Sequence, residues 1–418
     1  MSDPPTRLER RIGTADAIVI GLGSMIGAGV FAALAPAAQS AGGGLLVGLA
    51  IAAAVAFANA TSSAQLGAIH PQAGGTYVYG RARLGPGWGF AAGWGFVAGK
   101  TASCAAMALT FGAYAWPQHP RVMAALAVAA LVAVNLAGVT KTVWLTRLIV
   151  AIVLCVLTIV VIAGFTGGTA DIDRVSLSGA SPYDCLRAGA LLFFAFAGYA
   201  RLATLGEEVR DPARTIPRAI PAALGITLLV YALVALSALV AVGPDALAAS
   251  DAPLARVVDA GSWHDFVPLV RFGAATASLG VLLSLLAGVS RTIFAMAGER
   301  DLPRVFAHVQ RRTKVPDLAE TAVGCIVLVA VLTSDIRDAI GFSSFCVLGY
   351  YAITNAAALR LPREQRRWPA AFAAFGLAGC VVLAVTLPTV SIVGGIAAIG
   401  VGLVGRYAVA QFKPVDRS

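Results

Sequence analysis

Charged residues are scarce in this 418-residue sequence: they make up 12% of it, whereas hydrophobic residues make up 58%. A soluble domain carries roughly 25% charged residues, so a chain this apolar could not cover a surface facing water. The charges cluster between long apolar runs, as expected where lipid is the solvent. The composition therefore predicts a polytopic membrane protein.

Residues for metal, redox and covalent chemistry are also scarce. The six cysteines form no Cys-x-x-Cys pair, and the four histidines are scattered without metal-ligand spacing. The cysteines are expected to pack as small hydrophobic residues. Paired intramembrane carboxylates and a Ser/His/Asp set are not visible, so we expect no enzyme, no cofactor and no metal site.

Basic residues outnumber acidic ones by 31 to 21, but the excess lies in short loops between apolar segments. That placement argues against a nucleic-acid partner and for a membrane orientation signal. With a cytoplasmic N-terminus, the outer loops receive only five arginines: Arg121, Arg174, Arg256, Arg271 and Arg337. We therefore expect a multi-pass protein of the cytoplasmic membrane with both termini in the cytoplasm.

Twelve apolar segments approach the length of about 20 residues that a spanning helix needs. The predicted spans are Ala15–Ala38, Leu45–Ile69, Trp88–Trp116, Val122–Gly138, Val143–Phe165, Tyr183–Leu205, Ile216–Val242, Val267–Met296, Leu318–Ser334, Ala339–Leu359, Trp368–Leu387 and Val390–Ala410. The ninth is short, but omitting it would move the basic run Arg360 to Arg367 to the outer side. The fold class is therefore all-α and integral to the membrane.

Two of the predicted spans carry signs of a broken helix. The first contains four glycines within nine residues, Gly21 to Gly29, and each weakens a helix by about 1 kcal/mol relative to alanine. Five spans later, the segment from Phe193 to Ala200 contains the single Gly198. Close helix packing through small residues is the alternative for both segments.

Interrupted helices five spans apart are typical of an inverted repeat of five plus five helices, with a substrate site near the middle of the membrane. The N-terminus of a half-helix offers free amides to a carboxylate, and a C-terminus offers free carbonyls to an ammonium group. A zwitterionic amino acid matches both ends.

At these residues the chain resembles the amino acid–polyamine–organocation transporter family. The resemblance extends from Leu8 to Arg360 and is carried by four motifs in order: Gly23 to Phe31; Pro71 to Tyr79 with Gly93-Trp94; Phe193 to Gly198 with Glu207 to Pro212 and Ile216 to Pro221; and Ser290 to Pro303. It implies a leucine-transporter-like fold in a single transmembrane domain, with a first repeat at 15–165, a second at 183–360 and two peripheral helices at 368–410.

The resemblance also implies substrate roles. The amides of Gly27, Ala28 and Gly29 would receive the carboxylate of an amino acid. Carbonyls near Met25, Phe194, Ala195 and Ala197 would receive its ammonium group, and Phe196 would be an aromatic lid.

The coupling ion is less clear from the resemblance. Many sodium-independent members carry a fifth-helix lysine in the place that a sodium ion occupies in sodium-coupled relatives, and this chain has Val153 there, which leaves that cation site vacant. Of the eighth-helix hydroxyls that sodium-coupled relatives use, Ser278 is the nearest. Sodium is therefore poorly supported, and protons or exchange are expected. Glu207 and Glu208 are candidates for a gate-closing ion-pair network or, alternatively, belong to a solvated loop.

Lys100 is the one lysine well inside a predicted span, where burying its charge costs roughly 2.5–3.5 kcal/mol on insertion scales. One hypothesis is that it reaches the vacant cation site or the substrate vestibule and exchanges a proton there. The alternative is a snorkelling lysine or a static pair. Facing the site, Lys100 would repel arginine or lysine as substrates, yet the sixth-helix motifs look most like the cationic amino acid branch. Neutral and cationic substrates both remain open.

The sequence therefore predicts secondary active transport of an amino acid by alternating access, coupled to protons or to exchange. The expected partners are the amino acid, protons and the lipid bilayer. An exporter of an amino acid or a polyamine, and a transporter-like substrate sensor, are the alternatives.

Overall fold

The computed structural model describes residues 13–70, 74–138, 143–177, 179–199, 209–310 and 312–411. Regular structure in these ranges is helical, without an extended strand. The α-helices are α1 (Thr14–Met25), α2 (Ala28–Ala32), α3 (Leu34–Ala41), α4 (Leu45–Ile69), α5 (Thr76–Leu84), α6 (Pro86–Ala115), α7 (Pro120–Leu136), α8 (Val143–Thr166), α9 (Pro182–Phe196), α10 (Pro212–Ala248), α11 (Pro253–Asp259), α12 (Val267–Gly298), α13 (Asp317–Thr333), α14 (Ile336–Leu359), α15 (Ala370–Thr386) and α16 (Thr389–Gln411).

Eight helical stretches of the described residues are long and apolar enough to cross a membrane. They contain α1 with α2, α3 with α4, α6, α8, α10, α12, α14 and α16. The chain is therefore a multi-pass membrane protein. A helix also lies at each of the twelve predicted spans, but α7, α9, α13 and α15 have fewer than 18 residues. A count of twelve crossing helices stays a prediction.

The bounds differ from the predicted ones mainly where a helix is interrupted. The first predicted span is divided among α1, α2 and α3, and the sixth ends as an α-helix at Phe196. Hydrogen bonding carries α10 on to Ala248, but Gly243 has a φ of 77° and interrupts it directly after the predicted end at Val242. Composition therefore predicts where an apolar run lies, whereas the backbone dihedral angles of individual residues determine where the helix ends.

Local sequence explains how the central helices begin. Helix α9 starts with a capping box, in which Ser181 Oγ accepts a hydrogen bond from the Asp184 amide at 3.2 Å while Asp184 accepts one from the Ser181 amide. Proline stands in the first turn of α6 and of α9, where a missing amide hydrogen costs nothing. Both helices therefore start at defined positions, which fixes the register of the residues further along.

Helix α6 is the central packing element of the structure. It packs most extensively against α12 and α14 and also contacts α7 and α13, while α9 packs against α3, α4, α14 and α15. The outer helix α16 instead exposes large apolar side chains such as Val390, Val401 and Val404. Exposed apolar faces of this kind suit lipid rather than water. The two interrupted helices thus lie in the packed interior.

Candidate functional site

The first interruption separates α1 from α2. Helix α1 ends at Met25, Ile26 has a φ of −78° with a ψ of 58°, and Gly27 has a φ of −112° with a ψ of −144°. The Gly27 amide donates to the Met25 carbonyl at 2.8 Å instead of continuing the helical ladder. The backbone around Met25 is therefore not a continuous helix.

The second interruption lies at the end of α9, where the chain passes into a single 3₁₀ turn at Ala197–Tyr199. The Ala197 amide donates to the Phe194 carbonyl, which marks the tighter turn. Residues 200 to 208, which follow this turn, lie outside the described residues.

The two interruptions pack directly against each other. A Cβ added to Gly198 would lie 2.0 Å from the Ser24 carbonyl oxygen, and one added to Gly29 would lie 2.8 Å from the Ala195 Cα. Because the neighbouring atoms at both positions are backbone atoms, they cannot move away as a flexible side chain would. Glycine at these two positions allows the broken segments to approach backbone to backbone.

The hydroxyl of Tyr231 joins the two interruptions. Its single proton is shared between the Met25 carbonyl and the Ala195 carbonyl, the latter at 3.1 Å from the hydroxyl oxygen. Its ring centroid lies 5.2 Å from that of the buried Phe196 ring. Sequence reasoning missed Tyr231 because it is a lone tyrosine in the apolar run of α10. Knowing which helix faces the two breaks would have been needed to single it out.

The carbonyl of Ala197 has two donors of its own. Lys100 Nζ lies 3.5 Å from this oxygen, and the Tyr351 hydroxyl lies 3.4 Å from it. Tyr351 also stacks on Tyr199 with ring centroids 4.9 Å apart. Lys100 is 8% exposed, so its ammonium group lies inside the protein at the C-terminal end of α9.

The space beside Ala195 is small. The cavity between α2, α4, α9 and α10, lined by Gly29, Ala195 and Tyr231 among others, has about 10 Å³ of room. That volume holds about one water molecule. The space beside Ala195 is therefore closed to anything much larger than water.

The remaining predicted site residues fall into three groups. Ala28 begins α2, and the aromatic Phe194 and Phe196 are buried near the second break. Ser278 is buried on α12 and donates to the Ala274 carbonyl of its own helix at 2.7 Å. Glu207 and Glu208 lie outside the described residues.

Sequence reasoning also overlooked a buried carboxyl group. Glu320, in the first turn of α13, is fully buried, and its Oε1 accepts a hydrogen bond from Asn135 Nδ2 at 2.7 Å. Cys104, one turn along α6 from Lys100, lies within electrostatic range of both Lys100 and Glu320. Asn135 and Glu320 are far apart in sequence, so their pairing could not be seen before the helices were placed.

Comparison with known families decides the class of protein. The amino acid permease model matches residues 16–409, which include both interruptions. The chain belongs to the amino acid permease family. The permease is therefore a membrane protein of an amino acid transport family, as its motifs implied.

Relatives of the permease carry transporter names. It is 59% identical over 410 residues to uncharacterised transporters of Mycobacterium tuberculosis and Mycobacterium bovis, covering 98% of this chain and 93% of theirs. It is 28% identical over 394 residues to human cationic amino acid transporter 4, covering 86% of this chain and 61% of the human protein. The vacuolar cationic amino acid transporter 2 of Arabidopsis thaliana is also 28% identical, over 390 residues, with 86% and 61% covered.

Proposed function

We propose that the protein is a secondary active carrier that moves an amino acid across the cytoplasmic membrane by alternating access. The observation that carries the proposal is the direct packing of two interrupted helices, whose carbonyl groups at Met25 and Ala195 converge on one hydroxyl. Interrupted helices deep in a membrane protein form substrate sites because their free backbone groups need partners.

The substrate takes the place of the Tyr231 hydroxyl in this proposal. Its ammonium group binds the carbonyls of Met25 and Ala195, and its carboxylate binds the amides of Ala28 and Gly29, near the start of α2. The Gly27 amide already donates to the Met25 carbonyl in the closed structure, so it is not free to bind the carboxylate. Gly27 instead contributes the backbone flexibility of glycine at the break. Phe196, beside Tyr231, closes the site after binding.

The overall architecture that we propose is the one that the sequence predicts. Twelve spans cross the membrane, residues 15–165 and 183–360 form inverted repeats, and residues 368–410 form two peripheral helices. Both termini lie in the cytoplasm, because the basic residues then fall overwhelmingly in cytoplasmic loops. The two interruptions lie at corresponding positions of the two repeats, which supports this division.

Coupling is to protons or to exchange, and Lys100 is the residue that distinguishes them. Its ammonium group contacts the Ala197 carbonyl just beyond α9, a carbonyl that also accepts from the Tyr351 hydroxyl of α14. Cys104 lies near it on α6, so a change in the protonation of Lys100 would be felt at the second break. Uptake measured against pH in wild type, Lys100→Met and Lys100→Ala tests this role. Unchanged pH dependence in both variants favours exchange and ends a proton role for Lys100.

The transport proposal is tested with purified protein in proteoliposomes. A thermal-shift screen against all amino acids and common polyamines identifies a ligand by mass action, and flux of that ligand into the vesicles is then measured. Binding with flux supports a carrier, whereas binding without flux supports a sensor. Flux without any chemical change in the product excludes an enzyme.

Tyr231→Phe tests the placement of the ammonium group. In wild type the substrate must displace the hydroxyl, whereas the variant leaves two buried carbonyls short of a donor until substrate arrives. An unsatisfied buried group costs about 1–3 kcal/mol, so we expect the KM of the identified substrate to fall by roughly 5-fold or more. Tyr407→Phe, at an exposed tyrosine of α16, is the matched control. An unchanged KM in Tyr231→Phe would place the ammonium group elsewhere.

A further inference from the structure

The ammonium group of Lys100 is a buried positive charge at the C-terminal end of α9. Its Nζ lies 3.5 Å from the Ala197 carbonyl oxygen, two residues beyond the Ala195 carbonyl that Tyr231 binds. The C-terminal end of a helix carries partial negative charge, which favours a cation there. Lys100 therefore lies beside the position where the proposed function places an amino group.

The charge of Lys100 lacks a carboxylate partner among the described residues. Its neighbours there are the Ala197 carbonyl and Cys104, and the same carbonyl is shared with the Tyr351 hydroxyl. Asp301, another buried charge near α6, is by contrast held by two arginines. Because the described groups that contact Lys100 are dipoles and not carboxylates, they leave its field largely uncancelled in the space around the second break.

A positive field at the site discriminates between classes of amino acid. All α-amino acids bring the same ammonium and carboxylate groups to the site, so the effect of the Lys100 charge on those two groups is common to all of them. A cationic side chain adds a positive charge that nothing in the substrate offsets. Two like charges about 8 Å apart at an effective dielectric constant of about 20 repel strongly enough to change affinity by roughly 30-fold.

We propose that Lys100 is a charge filter, through which the permease accepts amino acids whose side chains carry no positive charge and excludes arginine, lysine and polyamines. The filter rests on the proposed function, because it acts on the substrate of that same site. It separates this chain in substrate class from the relatives named cationic amino acid transporters, although the family is shared.

The test measures selectivity in proteoliposomes with alanine, leucine, glutamate, arginine, lysine and putrescine as probes. Wild type is expected to carry at least one neutral or acidic probe at least 30-fold better, in kcat/KM, than arginine, and arginine in excess should inhibit that uptake only weakly. Lys100→Met keeps the length of the side chain without its charge, and it is expected to lower the ratio about 10-fold or more. Lys100→Arg keeps the charge and should preserve the ratio.

Three outcomes would contradict the proposals, and each contradicts a different part of them. Efficient arginine or putrescine uptake by wild type contradicts the filter while transport itself stands. An unchanged ratio in Lys100→Met assigns the selectivity to other residues and also contradicts the filter. If wild type carries no amino acid, the proposed function fails and the filter fails with it. Efficient uptake of arginine by wild type overturns the filter even if a variant does not fold, and Lys100→Arg and Lys100→Met give two independent chances to test the assignment to Lys100.

Discussion

Lys100 and Asp301 are both buried charges that contact α6 or its neighbours, but their surroundings differ. Asp301 is 5% exposed and accepts hydrogen bonds from Tyr77 at 2.8 Å, Arg81 at 2.8 Å and Arg406 at 3.0 Å. Lys100 is 8% exposed and has a single long contact to a carbonyl. A buried charge is tolerated when it is paired, and a bare one is costly unless it serves another purpose.

The Asp301 cluster, formed by Tyr77, Arg81, Asp301 and Arg406, joins three parts of the chain. It links α5, the segment after α12, and α16, and Arg81 reaches Glu299 at 3.4 Å as well. Burial, followed by the hydrogen bond to Asp301, raises the pKa of Tyr77, so its hydroxyl keeps its proton and donates to the carboxylate. The cluster therefore ties three segments together, whereas Lys100 contacts only the backbone at the second break among the described residues.

Asp301→Ala is expected to have the largest effect on stability. It leaves Arg81 and Arg406 without their shared carboxylate, at a cost of about 3 kcal/mol, the low end for a broken buried pair, because both arginines keep some contact with solvent. Thermal melting of the detergent-purified protein should show a clear loss of apparent Tm. Asp251→Ala, at an exposed aspartate, is the control. Equal melting of the two variants would mean that the cluster does not stabilise the fold.

Lys100→Met is expected to change stability in the opposite direction. Removing the bare charge recovers an insertion cost of roughly 2.5–3.5 kcal/mol and loses one hydrogen bond, so a net gain of about 1–2 kcal/mol is expected. The Ala197 carbonyl keeps its contact with Tyr351. The same melting experiment checks the sign, with Lys100→Arg as the charge-preserving control. A loss of stability in Lys100→Met as large as that in Asp301→Ala would show that Lys100 is also a paired, structural charge.

Tyr77→Phe is expected to have the smallest effect of the three. It removes one hydrogen bond to Asp301 but leaves both arginines in place, at a cost of about 1 kcal/mol, below the usual value for a bond to a charged group because Asp301 stays paired. Apparent Tm should fall less than in Asp301→Ala. A loss equal to that of Asp301→Ala would identify the tyrosine, rather than the arginines, as the main partner.

Much of the fold could be predicted from the sequence because lipid imposes simple rules on composition. Long apolar runs predicted a multi-pass helical protein, and clustered glycines marked the segment at Gly23 to Gly29 where α1 ends. The motifs predicted the amino acid permease family, which the family match confirmed. The twelve crossing helices and the inverted repeat stay predictions, because four helices at predicted spans are shorter than the usual crossing length.

The contacts of the side chains around the two breaks could not be predicted, because each side chain pairs with a backbone group far away in sequence. Tyr231 reaches Met25 across 206 positions, and Lys100 reaches Ala197 across 97. A single tyrosine in an apolar helix carries no local pattern, unlike the glycines that it faces. The position of Lys100 inside a span was visible, but its partner became known only when α6 and α9 were placed side by side.

The central claim is that the two interrupted helices bind both charged groups of an amino acid. It is tested most directly by comparing the affinity of the purified protein for its best amino acid with that for the methyl ester and for the carboxylic acid that lacks the amino group. The account predicts that each analogue binds about 100-fold more weakly, since each leaves one set of broken-helix backbone groups without a charged partner. Binding of either analogue within a few-fold of the parent amino acid would contradict it.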